Sequence, residues 1–140
     1  MNSSNNQQLL VICAEPENYE QIRRVAVKAG VGCVSCSRTD EARSILATVD
    51  IDVVFCQDML PDGDFRAVIA DADAVPVIVL SHFAEWDYYL AALRDGAFDY
   101  IACPPNAKET ERILRAAINK SMELRLGAHA QAESAMAAAS

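Results

Sequence analysis

Short runs of apolar residues alternate along this chain with segments in which apolar positions recur every three or four residues. Leu9 to Cys13 is a continuous apolar run, too short for a helix and suited to a strand buried on both faces. Tyr19, Ile22, Ala26 and Ala29 then fall at helical spacing, and Gly30 predicts a left-handed stop. Val31 to Ser35 reads as a second strand, and Ala42, Ile45, Leu46 and Val49 mark an amphipathic helix. Asp52 to Cys56 gives a third strand, followed by the turn signal Pro61-Asp62-Gly63-Asp64. A short helix over Phe65 to Ala70 leads to a fourth strand, Val75 to Leu80, where Pro76 fits near the start. Trp86, Tyr89, Leu90 and Leu93 stripe a fourth helix ended by Gly96, and Phe98 to Ala102 forms a fifth strand closed by Pro104-Pro105. Asn106 and Glu109 form a capping box for the last helix, which turns Ile113, Leu114, Ala117 and Ile118 inward.

Strands alternating with helices in this way predict an α/β fold: a five-stranded parallel sheet, doubly wound, with right-handed crossovers. In such sheets the functional edge lies at the carboxyl ends of the strands. Here those ends are Cys13-Ala14-Glu15, Cys56-Gln57-Asp58, Ser81-His82 and Cys103-Pro104. Residues 1–8 read as a polar extension, 9–120 as one domain, and 121–140 as a helix extension with an Ala-rich tail. The pattern leaves that tail open between helix and disorder. No internal repeat and no second domain is visible.

Composition narrows the function. With 52% apolar residues in a chain of 140 the protein is not disordered, and it can bury a core without disulfides. A formal charge of -8, from 20 acidic against 12 basic residues, supplies no cationic cluster for phosphates, so direct nucleic-acid binding is not expected. No apolar run approaches the roughly 20 residues of a membrane span. Met1 to Gln8 has neither a basic end nor an apolar signal core, so a cytoplasmic protein is expected. Five cysteines without a secretion signal predict reduced thiols. Cys33 and Cys36 form a CxxC, but on a strand positions three apart point to opposite faces, which suits apolar fillers. His82 and His129 each stand alone.

Several stretches together resemble a response-regulator receiver domain, the phosphoacceptor module of two-component signalling. They are Leu9-Leu10-Val11-Ile12 before Glu15-Pro16, Asp52-Val53-Val54-Phe55 leading to Met59-Leu60-Pro61-Asp62-Gly63, Pro76 to Ser81, and Gly96-Ala97-Phe98-Asp99-Tyr100-Ile101 running to Pro104. The resemblance covers residues 9 to about 120 and implies a flavodoxin-like (βα)5 fold with strand order 2-1-3-4-5. It also implies a reaction in which a carboxylate accepts a phosphoryl group beside magnesium, an acidic pair, a lysine and a hydroxyl. Hard oxygen ligands suit that ion, and such transfer rests on positioning and electrostatics.

Carried over by position, the acidic pair falls on Cys13 and Ala14, the acceptor on Gln57, the hydroxyl on Ser81 and the lysine on Cys103. The signalling aromatic falls on Tyr100, and the proline on Pro104. The charged positions are neutral, whereas Ser81, Tyr100 and Pro104 are kept. A degenerate receiver that is no enzyme, binds no cofactor and works through protein contacts is therefore expected. Gln57 cannot form an acyl phosphate; it either locks the loops, by bonding Ser81 or nearby backbone, or reflects drift. Glu15 and Asp58 are the nearest substitute acids for metal or phosphate. One step along a strand end turns a side chain to the other face, which makes them solvated acids flanking the loops. An active phosphoacceptor using Asp58 or Glu15, and a redox or metal switch through Cys13 and Cys103, are the alternatives, with Cys56 expected to point into the packing.

The resemblance also implies that the fourth helix, fifth strand and fifth helix form the partner or homodimer face. Trp86, Tyr88, Tyr89 and Tyr100 lie on or near it. Trp86 and Tyr89 are expected in the core. Tyr88, off the apolar stripe, is the expected interface residue.

Overall fold

A strand buried on both faces sends alternate side chains into two different cores, and that alternation organises this molecule. The computed structural model describes residues 7–139; residues 1–6 of the expected extension, Ser140 and the side chain of His129 lie outside the described residues. The chain runs β1 (Gln8–Ile12), α1 (Pro16–Lys28), β2 (Gly32–Cys36), α2 (Thr39–Thr48), β3 (Val53–Gln57), α3 (Phe65–Ala72), β4 (Val77–Ser81), α4 (Trp86–Arg94), β5 (Asp99–Ala102) and α5 (Ala107–Ala139). Between β3 and α3, Met59–Leu60 and Gly63–Asp64 pair as a small antiparallel hairpin around the expected turn. The five main strands pair in parallel in the order β2-β1-β3-β4-β5, the expected topology.

Leu9, Val11, Val53, Phe55, Ile78, Leu80 and Ile101 pack against Ile22, Val25 and Ala26 of α1 and Ile113, Leu114 and Ala117 of α5. Leu10, Ile12, Val54, Cys56, Val77 and Val79 pack against Ala42 of α2, Val68 and Ala72 of α3 and Ala92 of α4. Cys33 and Cys36 fall on opposite sides of this division, so the CxxC does not form a pair.

Local chemistry sets the helix ends. Pro16 opens α1, where its missing N–H costs nothing, and Gly30 after the helix takes the left-handed φ of 74°. Gly96, with φ of 109°, turns the chain after α4. Asn106 Oδ1 accepts the Glu109 amide at 3.0 Å, as the capping pattern requires. The cap of α2 comes from a distant residue. Asp62, in the hairpin turn, accepts the Thr39 amide at 2.7 Å and the Asp40 amide at 3.1 Å. Those bonds, the Thr39 amide foremost, hold the Asp62 carboxyl down at about 2.

Two expectations change, and the tail, left open between helix and disorder, is found in one of those states. Helix α3 runs on to Ala72 because Val68 and Ala72 both reach the core. Trp86, expected in the core, is 67% exposed. Helix α4 has nine residues and buries only Ala92 fully, so its first turn carries the aromatic residues past the edge of the sheet. The tail is helical: α5 spans 33 residues, about 50 Å at 1.5 Å per residue. Arg125 ties this helix to the sheet's amino edge through Asp50 at 2.9 Å and Asp52 at 2.7 Å.

Candidate functional site at the carboxyl edge

The alternation that builds two cores also divides the carboxyl edge into two sides. Cys13 continues the Leu9 and Val11 series, and Cys103 continues from Ile101; both pack on the α1/α5 side. Gln57 follows Val53 and Phe55 in the same parity. Ser81 follows Val77 and Val79 toward the α4 side, where Tyr100 also packs. Asp58, next after Gln57, turns to that side as well.

Gln57 is fully engaged by backbone. Its Oε1 accepts the Ala14 amide at 3.0 Å and its Nε2 donates to the Met59 carbonyl at 2.9 Å. The amide thus staples the loop after β1 to the loop after β3. Of the two partners expected for it, nearby backbone is found and Ser81 is not.

The Ser81 hydroxyl belongs instead to Asp58. Ser81 Oγ donates to Asp58 Oδ2 at 2.8 Å and accepts the Phe83 amide at 3.1 Å. Asp58 Oδ1 accepts the Met59 amide at 2.9 Å. The expectation that Asp58 is a solvated acid is therefore corrected. Alternation does turn it away from Gln57, but it turns it onto the side where Ser81 lies. Tyr100 closes the same side, its hydroxyl donating to the Phe83 carbonyl.

Glu15 and His82 span the top of the edge. His82 Nε2 lies 2.8 and 2.9 Å from the two Glu15 carboxylate oxygens, and Asn18 Nδ2 donates to the same carboxylate at 2.8 Å. His82 therefore does not stand alone, and Glu15 is not a free acid. Sequence spacing could not reveal this pair, because 67 residues separate its members.

The thiols are poorly suited to chemistry. Burial pushes Cys103 up to about 12 and also raises Cys13 and Cys33, while Cys36 is pushed up to about 11. Cys56 is fully buried in the second core, as expected, and its thiol is pushed up too. All five thiols are free.

The edge does not fit magnesium. Cys13 offers a soft, half-buried sulfur, Ala14 offers no side-chain donor, the Gln57 oxygen is taken by the Ala14 amide and Glu15 is bound to His82 and Asn18. Magnesium requires several hard oxygens in octahedral array. Among the described residues no group of three or more His, Cys, Asp or Glu is placed to hold a metal ion.

Beside this edge, α4 and β5 carry an exposed aromatic surface. Phe83 and Tyr88 stack with ring centroids 4.6 Å apart, Trp86 lies 5.0 Å from Tyr89, and Tyr89 meets Tyr100 edge-on at 6.1 Å. Phe83 is 48% exposed and Tyr88 49%. Phe83 joins the surface although no sequence pattern singled it out; it follows Ser81-His82 in a loop, where periodicity carries no information.

No family model matches the chain. Among curated proteins it is 40% identical over 77 residues to the KDP operon transcriptional regulatory protein KdpE of Escherichia coli, covering 53% of this chain and 34% of that protein. It is 26% identical over 106 residues to the DNA-binding transcriptional regulator NtrC of Salmonella typhimurium, covering 73% of this chain and 23% of that protein. The chain thus spans about a quarter to a third of the length of these curated relatives. A response regulator receiver domain protein from Clostridium thermocellum superposes with a TM-score of 0.73 at 23% identity, over 84% of this chain and 98% of that one. Among the described residues no helix is long and apolar enough to cross a membrane. With solved neighbours that are receiver domains of response regulators, the chain has the receiver-domain fold.

Proposed function

We propose that this domain is a receiver-like module of two-component signalling that takes no phosphate at the usual position and acts through protein contacts. One observation carries the reading. The residue at the acceptor position, Gln57, is an amide whose oxygen and nitrogen are both spent on backbone, at 3.0 and 2.9 Å. An amide has no anionic oxygen to attack phosphorus, and the neighbouring Cys13, Ala14 and Cys103 supply neither metal ligands nor a cation. The same bonds tie two loops that would otherwise be free to rearrange, so the domain holds one conformation of its edge.

The signal then leaves through the aromatic surface of α4 and β5, toward a protein partner or a second copy in the cytoplasm. Exposed Tyr and Trp offer contact area at low rotamer cost. The module performs no catalysis of its own and needs no cofactor.

A second reading has one observation in its favour. Asp58 is bonded to Ser81, the hydroxyl expected at the site, and is a carboxylate near the right place. Its two oxygens are already held by Ser81 and Met59, and among the described residues it belongs to no group of three or more His, Cys, Asp or Glu placed to hold a cation. Both readings are tested by incubating the protein with acetyl phosphate and magnesium and measuring its intact mass. The first predicts no added phosphoryl group and no shift of the Gln57 amide signals with beryllofluoride and magnesium. A phosphoryl adduct mapped to Asp58 or Glu15 would establish the second.

A further inference from the structure

Between α4, β5 and the start of α5 lies a hollow open to solvent, lined by Trp86, Tyr89, Asp99, Tyr100, Glu109 and Arg112. Trp86 is the chain's single tryptophan and is more than half bare. Its ring meets that of Tyr89 at 30° and 5.0 Å, and Tyr89 meets Tyr100 at 86° and 6.1 Å. Three rings therefore form a corner rather than a flat stack. The face of an aromatic ring is the negative side of its quadrupole, and among the aromatic side chains tryptophan attracts cations best.

The polar rim has the same sign as the rings. Asp99 gives Oδ1 to the Tyr100 amide at 2.8 Å. Among the described residues neither Asp99 nor Glu109 forms a salt bridge. Burial, and after it the charges of Asp58 and Glu85, raise the Tyr100 phenol, so Glu85 also lies within electrostatic range of the hollow. Against these three rim carboxylates, Asp99, Glu109 and Glu85, stands one lining base, Arg112. A second copy paired by a two-fold axis would set this negative rim against itself. A cationic partner relieves it.

We propose that this hollow takes an arginine side chain from a basic segment of a partner protein, its guanidinium stacked on Trp86 and paired with Asp99 and Glu109. The inference rests on the reading of α4 and β5 as the output surface and names the chemistry that surface accepts. Arginine suits the site better than lysine. A planar guanidinium stacks on a ring while its donors still point sideways to carboxylates, which a compact ammonium cannot do at once. The half-exposed Phe83 and Tyr88 stack, joined to the hollow where the Tyr100 hydroxyl meets the Phe83 carbonyl, gives the neighbours of that arginine an apolar footing.

The test titrates the full chain with a blocked hexapeptide carrying one arginine between leucines, beside its lysine and citrulline counterparts. Trp86 fluorescence is the reporter, with amide spectra as the second readout. The arginine peptide should give a saturable response centred on Trp86, Tyr89 and Asp99, weakening as salt is raised. Asp99→Asn, which keeps the acceptor for the Tyr100 amide, and Glu109→Gln should each weaken binding about twofold to fivefold, the range of an exposed ion pair. Trp86→Leu, followed by amide shifts, should weaken it about threefold. Arg112→Gln should tighten it about twofold, because it removes the competing cation. Melting temperatures show that each variant is folded. Equal binding of the citrulline peptide would overturn the cationic ligand, and equal binding of the lysine peptide would overturn the guanidinium. No saturable response to the arginine peptide would overturn the proposal outright. Self-association that covers Trp86 in sedimentation and is weakened by Arg112→Gln would give the face to a second copy and overturn it as well. The underlying reading fails on a different measurement, a phosphoryl adduct in the intact mass, so the two failures are distinguishable.

Discussion

Replacing Gln57 with Asp returns the nucleophile that the resemblance expects, and the structure says what else it does. The shorter side chain loses the donor that meets the Met59 carbonyl at 2.9 Å, and sets a carboxylate against that carbonyl instead. The bond from the Ala14 amide, now 3.0 Å, is stretched by the missing methylene. A neutral hydrogen bond is worth about 0.5–1.5 kcal/mol net, and two half-exposed ones together about 1–2 kcal/mol. Gln57→Asp should therefore unfold at lower urea, with the m-value unchanged, because no additional surface is exposed. Gln57→Asn, neutral but equally short, separates length from charge and should lose slightly less. Neither variant should gain a phosphoryl group from acetyl phosphate with magnesium, because Cys13, Ala14 and Cys103 still supply no charge. A stable phosphorylated form of Gln57→Asp, or a stability equal to that of the parent, would refute the account of the staple and of the missing groups.

Tyr88→Ala should leave stability within about 0.5 kcal/mol, apart from the lost stack on Phe83, and weaken self-association or partner binding by about 1–2 kcal/mol. Sedimentation and a partner pull-down check both halves, and unchanged binding would move the interface elsewhere. Asp62 has its carboxyl depressed to about 2 in the fold against about 3.9 unfolded. Its contribution is complete above the unfolded value and is lost as pH falls through about 4 toward 2. Asp62→Asn should accordingly flatten the acid side of the stability profile in that window, as followed by circular dichroism. The thiols of Cys13, Cys36 and Cys103, raised by burial, should react with iodoacetamide at neutral pH at least about tenfold more slowly than in the unfolded chain. Rapid labelling of Cys103 would revive a thiol-based switch.

The central strands β1, β3 and β4 were legible because strands buried on both faces are nearly continuous apolar runs, whereas the edge strands β2 and β5 carry only shorter, partly buried ones. Their boundaries moved by a residue or two, as at Cys13, which lies just past β1 although it is as apolar as the run before it. The stripe on α4 misled for a physical reason. Periodicity reports which residues share a helix face, not whether a sheet lies beneath that face, and at the edge of the sheet it leaves Trp86 bare. Links across long separations, such as Asp62 to the start of α2 or Glu15 to His82, have no local signature at all.

The case of Asp58 shows how a sound rule gives a wrong placement when applied to one strand only. Alternation correctly separates Asp58 from Gln57 at the end of β3. Counted also along β4, the same rule puts Ser81 in phase with Val77 and Val79, on the side to which Asp58 turns. Register completes the argument: Gln57 pairs with Leu80, so the next residue on each strand, Asp58 and Ser81, stand side by side with the same facing. Their 2.8 Å hydrogen bond follows from parity and register together. That bond gives the retained hydroxyl a structural partner that does not depend on phosphate. The serine at the position where the resemblance expects a hydroxyl is therefore explained by the bond it makes in the fold, and its presence alone is no argument for phosphorylation chemistry.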